Sequence, residues 1–264
     1  MTLTAGVVDE AATRIRTAQE TKVACAPVRD LLDGLGIAEA YAVQARNTDD
    51  ALAAGARVAG WKVGLTAKVV QRQLGVDRPD FGVLLADRGY GDDEPVPLSR
   101  LLQPRIEAEV AFVLERDLPE RHVNAVDILR ATAFVLPALE IVDSRIAGWD
   151  ITILDTVADN ASSGLFTLGL KPTLLHQVDL RTAAMELTSA DAVVSEGSGA
   201  ACLGHPVNAV VWLANTLFDI GRTVKAGEVI LSGALGPMVA VSGPGTYEAT
   251  IGGLGSVRAA FIDE

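Results

Sequence analysis

The clearest alternation of apolar and polar positions lies at residues 105–113, Arg-Ile-Glu-Ala-Glu-Val-Ala-Phe-Val. This alternation predicts a β-strand, because successive side chains of a strand point to opposite faces. Glu107 and Glu109 then share one face and lie about 7 Å apart along it. Facing solvent, they would be ordinary surface residues, which the spacing alone favours. Facing inward, they would need a cation such as Mg²⁺ or Mn²⁺.

A second predicted strand, residues 134–143, is almost continuously apolar, which is typical of a strand covered on both faces. Within it lies Glu140, and a carboxylate is rarely buried without an ionic partner or a metal. Three carboxylates on two neighbouring strands would form an oxygen-ligand site for a divalent ion. Alternatively, Glu140 pairs with an arginine such as Arg105 or Arg145. The pattern of residues leaves both interpretations open.

The N-terminal part of the chain shows a different periodicity. Apolar residues recur at helical spacing over 6–24 and 38–55, which predicts two amphipathic helices. A short helix is predicted between them, around Leu31 and Leu32. We expect these helices to form a layer that packs on the rest of the chain.

Strands outnumber helices in the last hundred residues, with glycine at the bends and one apolar helix at 207–220. This favours an α+β fold with a mixed, rolled β-sheet over a doubly wound parallel sheet. We therefore predict an N-terminal helical part, residues 1–75, packed on a β-rich catalytic core, residues 76–264.

The composition supports a large core and restricts the partners. Of the 264 residues, 49% are hydrophobic, and the net charge is -12, from 22 basic and 34 acidic residues. Such acidity disfavours nucleic acid and anionic membranes as partners, although an anionic small substrate needs only a local cation. Because no apolar run is long enough to span a membrane and the N-terminus does not resemble a signal peptide, we expect a cytoplasmic protein.

Three further segments contain candidates for chemistry. Lys62 lies in a short predicted strand between two glycines, either as a surface residue or as an ammonium that holds a carboxylate. Asp80 either forms a turn or acts as an acid–base group at the mouth of a strand. The segment 159–164, Asp-Asn-Ala-Ser-Ser-Gly, is a loop by composition and is rich in groups that could bind a carboxylate.

Motifs for several other chemistries are missing from the sequence. There is no GxGxxG or phosphate-loop motif for nucleotides and no Gly-x-Ser-x-Gly motif of a serine hydrolase. The two cysteines, Cys25 and Cys202, show neither metal-binding nor redox spacing, so we expect small buried thiols.

Seven segments in a fixed order carry a family resemblance. They are residues 60–66 (Gly-Trp-Lys-Val-Gly-Leu-Thr), 79–82 (Pro-Asp-Phe-Gly), 106–109, 138–143, 159–164, 203–206 and 226–233. Together they resemble the 2-keto-4-pentenoate hydratases of the fumarylacetoacetate hydrolase superfamily. The resemblance runs from Gly60 to the end of the chain, and the N-terminal helices are consistent with it.

The resemblance implies a rolled mixed sheet with an N-terminal helical part and a divalent metal, Mg²⁺ or Mn²⁺. It also implies a small anionic substrate and a homo-oligomer, with a complex with another pathway enzyme as a further possibility. The implied residues are the metal ligands Glu107, Glu109 and Glu140, the catalytic residues Lys62 and Asp80, and the substrate-binding residues Lys62 and Ser163.

The implied activity is that of a hydro-lyase in meta-cleavage catabolism of aromatic or steroid rings. Water is added to 2-hydroxypenta-2,4-dienoate to give 4-hydroxy-2-oxopentanoate. In this scheme Lys62 binds the substrate carboxylate or tunes its 2-oxygen, and Asp80 is the general acid and base. The metal stabilises the enolate charge.

Three alternatives remain at this point. A decarboxylase of 2-oxo-3-hexenedioate would use the same metal site and need a second cation, for which Arg145 is a candidate. Acylpyruvate hydrolysis would need a base that activates water. A non-catalytic subunit that stabilises another enzyme is the alternative of another class, and the complete set of three glutamates argues against it.

Overall fold

The computed structural model of the protein describes residues 3–68, 71, 76–119 and 121–263. Its described helices of six or more residues are α1 (Leu3–Thr21), α2 (Ile37–Ala53), α3 (Ala125–Ala131), α4 (Ile153–Ala158) and α5 (Pro206–Asp219). Helices α1 and α2 confirm the two predicted amphipathic helices to within a few residues. None of the described helices is long and apolar enough to cross a membrane.

The predicted short helix around Leu31 and Leu32 is wrong, because this segment forms consecutive turns. The amides of Val28 and Arg29 both donate to one carboxylate oxygen of Asp155 on α4, at 2.8 and 2.9 Å. These bonds fix the segment against α4, and Leu32 is buried there without a helix.

The strands form two sheets. Their bounds are β1 (Val58–Gly64), β2 (Asp80–Leu85), β3 (Gly89–Gly91), β4 (Pro95–Pro97), β5 (Pro104–Leu114), β6 (Thr132–Asp143), β7 (Ser163–Leu168), β8 (Ala184–Ser189), β9 (Ala192–Ser198), β10 (Val229–Leu231), β11 (Val239–Ala240), β12 (Gly245–Ile251) and β13 (Gly255–Ile262).

The larger sheet has the strand order β2-β1-β10-β5-β6-β7-β3, and β11 also pairs with β5. Strands β1 and β10 are parallel, as are β3 and β7, and the other pairs of this sheet are antiparallel. The smaller sheet has the order β4-β13-β12-β8-β9. The predicted α+β fold with a mixed rolled sheet and N-terminal helices is therefore confirmed.

Strands β5 and β6 are the longest and form the centre of the larger sheet. Their antiparallel register runs from Pro104 opposite Asp143 to Leu114 opposite Thr132. They are connected through α3, which begins where the Asn124 side chain accepts the amide of Val126 at 2.8 Å. Asparagine is preferred at this position because its side-chain oxygen satisfies a free amide of the first helical turn.

The buried apolar residues form three clusters. The largest joins both sheets and α5, and the second joins α1, α2 and α4. The third is small, on one face of the larger sheet, and includes Ala111, Leu136 and Leu231. Because β1 is hydrogen-bonded between β2 and β10, the helical layer ends before β1. The predicted domain boundary at residue 75 lies outside the described residues and stays a prediction.

Candidate metal centre and active site

The register of the larger sheet places five charged side chains on one face. Lys62 pairs with Leu231, Leu231 pairs with Ala111, and Glu107 pairs with Glu140. Paired residues point the same way, as do alternate residues of one strand, so these positions share the face of the small apolar cluster. The five charged residues are Lys62, Asp80, Glu107, Glu109 and Glu140.

The three glutamates converge. Glu107, Glu109 and Glu140 each offer one carboxylate oxygen within 4.8 Å of the others. Glu109 and Glu140 are fully buried, and Glu107 is half-buried. Oε1 of Glu109 and Oε2 of Glu140 accept no hydrogen bond from any residue that the structure describes. Buried carboxylate oxygens without donors are costly, so this donor set fits a hard divalent cation such as Mg²⁺ or Mn²⁺.

The second oxygen of Glu109 is held by the backbone. The amide of Gly233 donates to Oε2 of Glu109 at 2.7 Å. Gly233 has a φ of 109°, and a Cβ there would lie 2.4 Å from Cγ2 of Thr66. Only glycine fits this position, because both the backbone conformation and the close approach to Thr66 exclude a side chain.

Lys62 is the cation that pairs with Glu140. Its buried Nζ lies 3.3 Å from Oε1 of Glu140. The two arginines suggested by the sequence have other partners: the guanidinium of Arg105 lies 4.3 Å from the ring centroid of Trp149, and Arg145 pairs with Asp159. Glu140 therefore has both of the features that the sequence presents as alternatives: it pairs with a basic residue, and it belongs to the cluster of three carboxylates.

Asp80 is buried at the start of β2 and pairs with Gly64 of β1. Its Oδ1 has no hydrogen-bond partner among the described residues, and its Oδ2 lies 3.5 Å from Oγ1 of Thr156. A Cβ at Gly64 would lie 2.2 Å from Oδ1 of Asp80 and 3.3 Å from Nζ of Lys62. The missing side chain at Gly64 therefore leaves room for these two charged groups.

The electrostatics reflect burial of an acidic cluster. Burial raises the pKa of Glu107 to about 7 and that of Glu109 well above its ordinary value, with Glu140 adding to both shifts. Burial also raises the pKa of Asp80, although Lys62 opposes the shift. Burial lowers the pKa of Lys62, but the charges of Glu140 and Asp80 outweigh it and raise that pKa overall. The carboxylates thus hold protons more tightly than usual in the metal-free protein.

A strained loop brings a further hydroxyl towards Asp80. Asn160, Ala161 and Ser162 have φ angles of 54°, 50° and 54°, a left-handed conformation that non-glycine residues rarely adopt. Oγ of the buried Ser162 lies 3.4 Å from Oγ1 of Thr156, which in turn contacts Asp80. Thr156 lies near the site without any signal in the sequence, whereas Ser162 belongs to the polar segment 159–164.

Ser163, the predicted substrate-binding serine, lies at the start of β7. It lines a different cavity, next to α1 and α2, and its carbonyl accepts a hydrogen bond from Arg145 at 2.8 Å. The structure therefore brings Lys62, Asp80 and the three glutamates together, and the hydroxyl of Ser162 contacts Thr156 beside Asp80. The composition of the 159–164 loop predicts a polar site, but it does not show which serine hydroxyl points towards that site.

Comparison with known proteins gives the family. Residues 44–262 match the family described as fumarylacetoacetate (FAA) hydrolase C-terminal. The chain belongs to the fumarylacetoacetate hydrolase superfamily. Within this superfamily it belongs with the 2-keto-4-pentenoate hydratases, as the resemblance predicts.

The relatives of the chain in this superfamily include hydratases and a decarboxylase. The chain is 54% identical to a 2-keto-4-pentenoate hydratase from Burkholderia vietnamiensis over 96% of each chain. It is 43% identical to a 2-hydroxyhexa-2,4-dienoate hydratase from Comamonas testosteroni, over 90% of this chain and 91% of that one. Among solved structures, 4-oxalocrotonate decarboxylase from Pseudomonas putida G7, complexed with magnesium and adipate, is 34% identical over 99% of each chain, with a TM-score of 0.95.

Proposed function

We propose that the protein is a metal-dependent hydro-lyase that adds water to 2-hydroxypenta-2,4-dienoate, or a close homologue, and yields 4-hydroxy-2-oxopentanoate. The observation that carries the proposal is the convergence of three carboxylates with unpartnered buried oxygens beside Lys62. Identity of 54% over nearly the full length of a hydratase supports this substrate class. Such an activity belongs to meta-cleavage catabolism of aromatic or steroid rings.

The chain's own residues supply binding and orientation. Glu107, Glu109 and Glu140 would hold Mg²⁺ or Mn²⁺, which when bound acts as a Lewis acid towards negative charge on the substrate 2-oxygen. Lys62, next to Glu140, offsets the negative charge of the cluster and orients the substrate carboxylate. An anionic substrate is accepted here despite the acidity of the whole chain.

Asp80 moves the proton in this proposal. Its buried Oδ1 accepts no hydrogen bond from the described part of the chain, and burial raises the pKa of the carboxyl group, so it holds a proton more readily than a solvated aspartate does. Delivery of this proton to C5, with loss of the proton of the 2-hydroxyl group, gives a conjugated 2-oxo-3-enoate, and the released proton returns to Asp80. Water then adds its hydroxyl group at C4 while its remaining proton goes to C3.

The decarboxylase of 2-oxo-3-hexenedioate is the second candidate, since the decarboxylase structure overlays with a TM-score of 0.95. A diacid needs a second cation in the pocket. Arg145, the candidate from the sequence, is 4% exposed and is already bound to Asp159 and to backbone carbonyls. This commitment of Arg145 favours the monoacid substrate.

We also propose that the protein is a cytoplasmic homo-oligomer that forms a complex with a pathway enzyme. The absence of a membrane-spanning helix from the described residues is compatible with the location. Exposed apolar side chains such as Leu170, which is 77% exposed, and Val126, which is 59% exposed, support contacts between subunits. A role as a non-catalytic stabilising subunit would leave the unpartnered carboxylate oxygens unexplained.

The test is turnover of enzymatically generated 2-hydroxypenta-2,4-dienoate after chelation and re-addition of Mg²⁺ or Mn²⁺. Loss of the dienoate absorbance is followed, and the product and any CO₂ are identified. A parallel reaction uses 2-oxo-3-hexenedioate. The expected result is metal-dependent hydration of the monoacid without release of CO₂.

The other outcomes separate the alternatives. Release of CO₂ from the diacid, with little action on the monoacid, would assign the decarboxylase activity. No turnover of either compound by metal-loaded, folded protein would contradict the substrate assignment and favour a stabilising subunit. An analytical ultracentrifugation run on the same sample tests the oligomer.

A further inference from the structure

A cavity is lined by Asp159, Asn160, Ser163 and Gly164 of the 159–164 loop. It has a volume of about 350 Å³ and lies between this loop, strand β2 and helices α1 and α2. None of the five charged residues of the candidate active site lines it. Its volume lies within the range of small-molecule sites in proteins.

The walls of this cavity suit an apolar group. Ile15 of α1, Ala51 and Ala54 of α2, and Val83 and Leu85 of β2 form much of its lining. An aliphatic chain of a few carbons would bury apolar surface against these side chains, which stabilises binding in proportion to the area removed from water.

Two ion pairs account for four of the six charged residues that line the cavity, and the other two are Arg88 and Glu20. Glu20 is exposed and forms no ion pair in the described part of the chain. Arg16 binds Asp50 at 2.7 Å, and Arg145 binds Asp159. Arg88 has only its sequence neighbour Asp87, whose Oδ2 lies 3.5 Å from Nε. In the described residues, the guanidinium group of Arg88 donates no hydrogen bond to any acceptor.

The surroundings of Arg88 favour an incoming anion. Its side chain is 29% exposed, whereas the side chain of Asp87 is 58% exposed and is shared with Arg100 at 3.9 Å. Burial lowers the pKa of Arg88 and Asp87 opposes this, while the charges of Arg100 and Arg145 lower it further. A carboxylate bound there would relieve the repulsion among these guanidinium groups.

We propose that this cavity is a second ligand site for a small monocarboxylate, with the carboxylate on Arg88 and the aliphatic body against Ile15 and Ala51. The ligand would contact Asn160 and Ser163, which lie next to Ser162 in the loop, and Ser162 contacts Thr156 beside Asp80. A ligand in the cavity could therefore shift the position of Ser162 and, through Thr156, that of Asp80. Binding at this cavity does not require that the reaction proposed above be the correct one.

The test uses 6-bromohexanoate as the probe and the metal-loaded protein. Calorimetric titration gives the stoichiometry, and the anomalous signal of bromine in a soaked crystal locates each bound molecule. Arg88→Met is compared with Arg116→Met, which removes an exposed arginine that also pairs with its neighbouring residue, Glu115. We expect binding at the cavity to weaken about tenfold or more in Arg88→Met and to be unchanged in Arg116→Met.

A second variant and two competitors complete the design. Ala51→Phe fills the cavity without removing a charge and should also abolish this binding event. Displacement of the probe by 4-hydroxy-2-oxopentanoate would identify a product-like ligand, and displacement by hexanoate alone would identify an aliphatic acid. Bromine found only at the glutamate cluster, or cavity binding that survives Arg88→Met, would overturn the proposal. Because binding is measured without turnover, failure of the proposed activity would leave this result interpretable.

Discussion

Two buried charged clusters lie in neighbouring parts of this protein, and they differ in how their charges are satisfied. Arg145, 4% exposed, donates to both the side chain and the carbonyl of Asp159, and to the carbonyls of Asp143 and Ser163. The Asp143 carboxylate accepts the amides of Leu102 and Gln103. The cluster around Glu109, in contrast, contains buried oxygens without donors.

The difference separates a structural role from a chemical one. A buried ion pair whose remaining donors and acceptors are satisfied can be tolerated as part of the fold. Unsatisfied carboxylates on one face of a sheet raise the energy of the folded protein until a cation binds. The Arg145 cluster therefore fixes the 159–164 loop, whereas the glutamate cluster is built for a ligand.

The largest expected effect is on catalysis, in Glu109→Gln. This change removes a buried anionic ligand, so we expect turnover of the dienoate to fall by about 10³-fold or more and metal affinity to weaken. Thermal stability of the metal-free variant should be unchanged or higher, because a buried charge is lost. Glu115→Gln, at an exposed position beyond β5, is the control. Full activity of Glu109→Gln at limiting metal would contradict the assignment.

Arg145→Met should affect stability rather than chemistry. Removing one partner of a buried pair leaves Asp159 uncompensated, which costs about 3 to 5 kcal/mol in free energy of unfolding. Denaturant titration of the metal-loaded protein measures this value. Arg46→Met, which removes partly exposed pairs with Asp9 and Asp50, should cost less than about 1 kcal/mol. Equal stability of the two variants would mean that the buried cluster is not structural.

Asp80→Asn tests whether Asp80 transfers protons or helps to hold the metal. The amide keeps the size of the side chain but cannot exchange a proton, so we expect kcat to fall by about 10². Metal affinity should change little, because Asp80 is not one of the three converging glutamates. Steady-state kinetics and a metal titration on the same preparation separate these effects. A loss of metal affinity equal to the loss of kcat would instead make Asp80 part of the metal centre.

The pH dependence of stability should differ between the metal-free and the metal-loaded protein. In the metal-free protein, burial raises the pKa of Glu107 to about 7, above the unfolded value of about 4.3. A raised carboxyl pKa means that stability is fully present below the unfolded pKa and is lost as pH rises through about 7. The increase in Tm on adding Mg²⁺ should therefore grow between about pH 5.5 and pH 8. A Tm increase that shrinks over this range would contradict the raised pKa.

The buried glutamates of the metal centre also show which features of the site can be predicted from sequence. Alternation places Glu107 and Glu109 on one strand face, and the apolar run around Glu140 makes its burial predictable. This pattern leaves a solvent-facing pair and an arginine partner open, and the set of three ligands comes from the family resemblance. The fold class follows from the order of helical and strand periodicities. The roles of the individual side chains stay predictions.

Other features depend on long-range geometry. Lys62 reaches Glu140 from a strand that is placed by its pairing with β10, and no local pattern selects it over Arg105 or Arg145. Likewise, the left-handed conformation of residues 160–162 decides that Ser162 rather than Ser163 approaches Thr156. Composition does not reveal φ angles of this kind.

The strand register also has a consequence for the order of folding. The three glutamates come from β5 and β6, which are neighbours in sequence, whereas Lys62 joins them only after β10 has paired between β1 and β5. Carboxylates that assemble before their counter-charge repel one another, and short-range contacts form earlier than long-range ones. We therefore expect Mg²⁺ in the refolding buffer to accelerate refolding several-fold, measured by stopped-flow fluorescence, with no acceleration in Glu109→Gln. The ion would thus assist folding of the chain before it takes part in substrate binding.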